Sequence, residues 1–252
     1  DPVGHEVAAQ VRLEAREVAR LRVGNVQVAI AGMDCDGKVH RQPAVTRLIG
    51  VYGASGCGRG ILPLLRAQYP KDRLVFIDDT LCGQTINGHR VLNWAAFLQQ
   101  EAGEKAVSIA VAAPKRRQRL AEKAATANIS LIEARAGSVV QMDAVEIGVG
   151  ACLSPFVSLT SNIRIGRCFH ANLYAYVEHD CHLGDYVTLA PAAKVNGNIS
   201  IGDQAYIGAG AVLRQGIAIG AGAIIGMGAV VTRDVPAGET VAGNPAKPLI
   251  KI

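Results

Sequence analysis

His179 is followed directly by Asp180, and a histidine beside a carboxylate can take a proton from a weak nucleophile near neutral pH. The chain has six histidines. His5 and His40 fall in an N-terminal stretch unlike the rest, and His89 follows the turn residue Gly88. His170, His179 and His182 lie close together in the C-terminal half, and of these only His179 adjoins an acid. Taken alone, such a histidine reads more readily as a solvated surface residue, and it is the repeat around it that favours a base. A second constellation is Gly53-Ala54-Ser55-Gly56-Cys57-Gly58, between the apolar run Leu48–Tyr52 and a helical stretch to Gln68. Backbone amides at a helix start suit a phosphate, although a glycine-rich loop by itself is a weak signal. Asp78 and Asp79 close the next strand-like run, Leu74–Ile77, where carboxylates can accept from a ribose or a base. A domain that only helped folding would show the same residues.

The elements that position these residues are of two kinds. From Ile147 to Val231 every sixth residue is apolar, fifteen in succession without a slip. Two residues before each, from Val145 to Ala229, stands another apolar and usually small residue. A six-residue period of this length predicts a parallel β-helix in which three hexapeptides make one triangular coil of 18 residues. Glycine often follows the large residue, at Gly148, Gly166, Gly184, Gly202, Gly208, Gly220 and Gly226, and is expected to serve the tight turn. Stacking puts each residue above its counterpart 18 positions on, so His179 should lie over Gly197 in Asn196-Gly197-Asn198. A glycine there lets a substrate approach the backbone, and its N–H can face a developing oxyanion. A plain turn glycine has the same look. Strand neighbours point to opposite sides, so the pairing of His179 with Asp180 requires a corner between them.

Upstream, from Arg47, short apolar runs alternate with helical stretches. The third run is Val107–Ala112, and the helices are expected near Leu92–Gln100 and Lys115–Ala127, which gives a small parallel α/β domain. The expected organisation is an extension over 1–46, an α/β domain over 47–134, a β-helix over 143–236 and a tail over 237–252. Within the extension, Glu6–Arg22 has loosely helical spacing and Val26–Ile30 suggests a hairpin with a return through Val39. No function is assigned to it. The net charge of +5 comes from the N-terminal half, including Lys115, Arg116, Arg117, Arg119 and Lys123. These basic clusters are read as solvated helix faces, and the nearly balanced repeat argues against nucleic acid as a partner. No apolar run is long enough to span a bilayer, and no secretory leader pattern opens the sequence. The six cysteines lack zinc spacing and are read as reduced thiols. A soluble cytoplasmic protein without membrane insertion is expected.

Repeats such as Ile201-Gly202-Asp203-Gln204-Ala205-Tyr206 and Ile219-Gly220-Ala221-Gly222-Ala223-Ile224, and the ending Val241-Ala242-Gly243-Asn244-Pro245-Ala246-Lys247-Pro248-Leu249, look like those of hexapeptide-repeat acyltransferases. Together with Tyr52–Gly58 and Phe76-Ile77-Asp78-Asp79, the chain from Arg47 to Ile252 resembles bacterial sugar O- and N-acetyltransferases of the sialic acid and bacillosamine type. That resemblance implies a Rossmann-like domain followed by a left-handed parallel β-helix, assembled as a homotrimer. It implies acetyl-coenzyme A as co-substrate, no metal, and a uridine diphosphate-linked amino sugar as acceptor, in the making of surface glycans. His179 would be the general base, Asp180 would raise its basicity, and the Gly197 amide would hold the thioester oxygen. Ala209 and Met227 would touch the coenzyme, and Thr188 stands where relatives often carry a histidine against it. Gly53, Ala54, Ser55, Gly56, Asp78, Asp79, Ala112 and Asn172 would face the acceptor. Ala112-Ala113-Pro114 replaces the glycine and asparagine usual in relatives. Sugar O-acetylation is the nearest alternative. A β-helix carbonic anhydrase would need a metal held by three histidines from two subunits, for which His170, His179 and His182 stand available. A non-catalytic scaffold would not need His179.

Overall fold

Leu48, Ile49 and Val51 are apolar on both alternations, as a strand covered on both faces must be. That strand, β3 (Arg47–Tyr52), lies inside a six-stranded sheet. The structure, a computed structural model, describes residues 20–23, 26–29 and 47–249. The chain divides into two units, 1–44 and 45–252. In the first, β1 (Arg20–Val23) pairs antiparallel with β2 (Val26–Ala29). The helical spacing expected to Arg22 therefore ends in a strand, and the hairpin's partner lies upstream of Val26. Arg20-Leu21-Arg22-Val23 alternates polar with apolar residues, which favours the strand. The proposed return through Val39 lies outside the described residues.

In the second unit, α1 (Gly56–Gln68) follows β3 and leads to β4 (Arg73–Ile77). A hairpin of β5 (Thr85–Ile86) and β6 (His89–Leu92) was not expected from the sequence. Its turn uses Asn87 and Gly88 at φ 48° and 79°, the left-handed pair that two-residue hairpins need. Then come α2 (Trp94–Gln99), β7 (Glu104–Ile109), α3 (Pro114–Thr126) and β8 (Ser130–Leu131). Helix α1 buries Ile61, Leu62 and Leu65 on one side of the sheet, while Trp94, Phe97, Ala121 and Ala124 from α2 and α3 cover the other. In the sheet order β5-β6-β4-β3-β7-β8 the connection reverses between β3 and β7, so the carboxyl ends of these two strands are the switch point at which open α/β sheets form their crevice.

The chain then winds into a three-faced prism. The first face stacks Ala134–Arg135, Cys152–Leu153, His170–Ala171, Thr188–Leu189, Tyr206–Ile207, Ile224–Ile225 and Thr240–Ala242; the second runs from Val140–Gln141 to Val230–Val231, and the third from Val145–Ile147 to Ala218–Ile219. Partners are 18 residues apart, as in His170 with Thr188 and Val177 with Val195, until the last coil shortens to 16 at Ile224 with Thr240. The ladder begins one partial coil before the apolar phase does, because Arg135 and Gln141 occupy the first interior positions at the open end. Leu153, Leu159, Val177, Leu189, Val195 and Leu213 are fully buried in the interior, as are the small residues Ala151, Ala175, Ala193 and Ala211 that start the faces.

The glycines after the large residues do not serve a turn. None has a positive φ; instead a Cβ on Gly202 would lie 2.5 Å from the Ala221 nitrogen, and one on Gly208 2.6 Å from the Ile225 oxygen. They are glycines because the next coil's backbone passes there. The left-handed corner residue comes two positions later, and it is often not glycine: Phe156, Asn162, Tyr174, Asp180 and Asn198 have φ between 56° and 64°.

Candidate active site

The corner at Asp180, φ 58°, swings its carboxylate back toward the preceding side chain, which a straight strand would prevent. His179 Nδ1 and Asp180 Oδ2 are 2.8 Å apart. The other carboxylate oxygen accepts from Asn162 Nδ2 at 3.1 Å. These two contacts, the histidine first, hold the Asp180 pKa below the usual carboxylate range. Asn162 lies one coil from Asp180, on the side away from Gly197, so the stacking rule that located Gly197 points to it as well. Beneath the imidazole is Gly197: a Cβ there would sit 2.6 Å from both His179 Cε1 and Nε2. The Gly197 residue is buried, its carbonyl accepts from Gly216 N–H at 3.0 Å, and among the described residues its N–H donates to none. The corner is braced from within by the Cys181 thiol, 3.2 Å from the Asn196 carbonyl, and by Tyr176, whose hydroxyl donates to Asn196 Oδ1 at 2.9 Å. The structure thus brings His179, Asp180 and Gly197 together with a free buried donor, as a base and an oxyanion site require.

At the carboxyl end of the sheet, Gly53 takes φ 103° so that the chain can turn into α1, and Gly58 is bare because the Gly53 carbonyl packs on it. Ser55 and Gly56 at the helix start are exposed, and the Ser55 side chain makes no cap bond. Asp78 braces this loop: Oδ2 accepts from Ala54 N–H at 3.1 Å, and Oδ1 from Thr80 and Leu81. Asp79 is exposed and accepts from Trp94 N–H at 3.2 Å. Gly53, Ala54, Ser55, Gly56, Asp78 and Asp79 therefore form one lip of the crevice. Ala112, after β7, forms the other.

Ala112 is held by groups that the sequence reading had placed elsewhere. Its carbonyl accepts from Thr188 Oγ1 at 2.8 Å and from Arg117 Nη1 at 3.0 Å. Thr188 is 2% exposed and faces the α/β domain, so the coenzyme contact expected of it is corrected: the loop after β7 already covers its hydroxyl. Arg117, expected on a solvated face, is 1% exposed. Lys123 remains exposed, but its amine donates to the Tyr52 hydroxyl at 3.1 Å. Beside Thr188 on the first face lies His170, fully enclosed, with Nε2 3.8 Å from Cys57 Sγ in the first turn of α1. Two residues past His170 and on the same side is Asn172, whose Oδ1 accepts from Leu173 N–H.

Ala209 and Met227 stack at the corner that closes the first face, joined by a Gly228 N–H to Ala209 carbonyl bond of 2.8 Å, and Met227 is 82% exposed. The same corner carries Leu173 and the stacked rings of Phe156 and Tyr174, all exposed. His179 and Gly197 close the second face instead, so within one chain the two groups stand on opposite edges of that face. A groove of about 900 Å³ follows the third face past Arg164 and His182, but none of the expected site residues lines it. His170, His179 and His182 belong to different sides of the prism, and among the described residues no three histidine, cysteine or acidic side chains converge.

Comparison with known proteins bears on the family and the fold. Residues 48–124 match the family described as PglD N-terminal domain, and residues 198–233 match bacterial transferase hexapeptide (six repeats). GDP-perosamine N-acetyltransferase of Escherichia coli O157:H7 is 48% identical over 212 residues, 80% of this chain and 96% of that one. The structure of WeeI from Acinetobacter baumannii AYE is similar with a TM-score of 0.80 at 52% identity, covering 81% of this chain and all of the other. The acetyltransferase domain of PglB from Neisseria gonorrhoeae FA1090, in complex with acetyl coenzyme A, gives a TM-score of 0.75 at 32% identity over 81% of this chain and all of that one. Like these neighbours, the prism is a left-handed β-helix behind a Rossmann-like domain.

Proposed function

We propose a mechanism for a chain that belongs to the hexapeptide-repeat sugar N-acetyltransferases and that, as one of them, catalyses acetyl-coenzyme A-dependent N-acetylation of a nucleotide-linked amino sugar. In place of the uridine expected from the resemblance, we take the nucleotide to be guanosine diphosphate and the sugar to be perosamine or a near analogue. The support is the 48% identity to an enzyme named for that acceptor. The diphosphate lies on the amides of Ser55, Gly56 and Cys57 at the start of α1. Asp79 faces the ribose or base, with Ala112 on the far lip. Asp78 has a bracing role, since both its oxygens already hold the loop.

The acceptor amine attacks the thioester carbonyl directly. His179 takes the amine proton as the C–N bond forms, while Asp180 orients the ring. The Gly197 N–H receives the oxyanion. Collapse breaks the C–S bond, and the leaving thiolate takes the proton back from His179. The observation that carries this reading is the His179 ring, tied to Asp180 at 2.8 Å and seated on a glycine whose N–H has no partner among the described residues.

We further propose a cytoplasmic homotrimer. The crevice opens beside the first face and leads past Asn172 to the corner of Ala209 and Met227, while the base stands at the other corner. One chain's acceptor and coenzyme corner would therefore meet the base of its neighbour, and three copies close such a head-to-tail contact.

The test is acetyl-coenzyme A turnover with GDP-perosamine, read as acetylated product and released thiol. His179→Ala should lower kcat by about 100-fold or more with the fold intact. Near-full turnover in that variant would remove His179 from the mechanism. Equal turnover of the uridine-linked sugar would remove the nucleotide assignment.

A further inference from the structure

Arg117 has the largest fully buried side chain among the described residues. Nε donates to the Cys168 carbonyl at 2.8 Å, and Nη1 to Val111 and Ala112 at 2.7 and 3.0 Å. Nη2 is shared among the carbonyls of Tyr186 and Val187 and Thr188 Oγ1, at 2.6, 3.1 and 2.9 Å. Every acceptor is neutral, and among the described residues no carboxylate pairs with it. Burial lowers its pKa to about 10, which still leaves it charged at neutral pH. A buried cation without a counter-charge is unfavourable, and the first turns of a helix are the wrong end for it.

Its location supplies a reason. Val111 and Ala112 belong to one lip of the crevice. Thr188 is the ladder neighbour of His170, which touches Cys57 on the other lip. The unpaired charge sits where the two lips meet the prism. We propose that Arg117 is the buried counter-charge for the acceptor's diphosphate, and so a positioning residue for the substrate. This rests on reading the crevice as the nucleotide site. The diphosphate on the α1 amides provides the negative charge that the floor lacks. Because the guanidinium is enclosed, its attraction should be screened little by salt, unlike that of the exposed Arg59 and Lys115.

Calorimetry with guanosine and with guanosine diphosphate separates the possibilities. In the unaltered protein, the preference for the diphosphate should change by less than about 3-fold between roughly 50 and 500 mM salt. In Arg117→Met and Arg117→Gln, diphosphate affinity should fall about 10-fold while guanosine affinity moves less than about 2-fold. Arg117→Lys should keep most of the preference. Neutral variants that weaken both ligands equally would make Arg117 only a structural fastener and overturn the proposal. So would a preference that collapses with salt, which would place it on Arg59 and Lys115. If neither neutral variant folds, the salt series on the unaltered protein decides. Should neither ligand bind that protein at all, the crevice reading itself fails, and the assignment of Arg117 with it.

Discussion

At the scale of single residues, His170 links the junction of the two domains to pH. Burial first, and then the Arg117 charge, push its pKa down to about 3, against a weak opposing pull from the Val111 carbonyl; Nδ1 finds no aligned partner. The folded ring stays neutral, while the unfolded ring gains a proton below about pH 6.5. Stability from this site is therefore present above that pH and is lost as pH falls toward 3, by up to about 1.4 kcal/mol per unit. His170→Gln should flatten the fall in thermal midpoint between about pH 6.5 and 3. A variant that follows the unaltered protein throughout would show that the ring is not kept neutral. The pair His179–Asp180 and its seat on Gly197 were legible in the sequence because stacking converts a spacing of 18 into a contact. Arg117 was not recognised among Lys115, Arg116 and Arg119, although it falls in phase with the buried Ala121 and Ala124, four and seven residues on. A charged residue in an apolar stripe was discounted on its type. Thr188 was misplaced for a related reason: the repeat gives its face but not what covers that face.

At the scale of elements, the prism was legible because its interior repeats, whereas two-residue strands such as β5 carry too few side chains to announce themselves. The glycines were seen but their reason was not, since a sequence shows neither φ nor the backbone passing beside it. The structure separates two kinds. Gly202→Ala would push a methyl group to 2.5 Å from the Ala221 nitrogen and 2.8 Å from its Cα, and should cost about 1–3 kcal/mol. Gly210 has open space around its missing Cβ but sits at φ 67°, so Gly210→Ala should cost about 1 kcal/mol and Gly210→Asn less. Denaturant unfolding of the three variants checks the order. If Gly202→Ala proved the mildest, close approach would not be what keeps that position bare.

For the molecule as a whole, the proposed base and the proposed coenzyme corner stand on opposite edges of one face, so on that reading a single chain would hold no complete site. Light scattering at assay concentration should give three chains. Chains carrying His179→Ala, mixed and reassembled with chains carrying Met227→Glu, should regain activity that neither has alone. A fully active monomer, or mixtures that stay dead while still co-assembling, would put the whole site in one chain. The 18-residue register has a further consequence. Height along the prism is quantised: each coil adds one strand spacing, about 4.8 Å, and nothing between is available. The α/β domain is moored at Cys152, His170 and Thr188, on fixed rungs relative to the rung of His179. On the proposed site, point substitutions would alter what a corner recognises, whereas the height of the nucleotide relative to the base, in its own chain or a symmetric neighbour, would change in whole-coil steps. An acceptor longer by part of a sugar unit would then have no matching rung, so selectivity for length and selectivity for chemistry would change through different kinds of mutation.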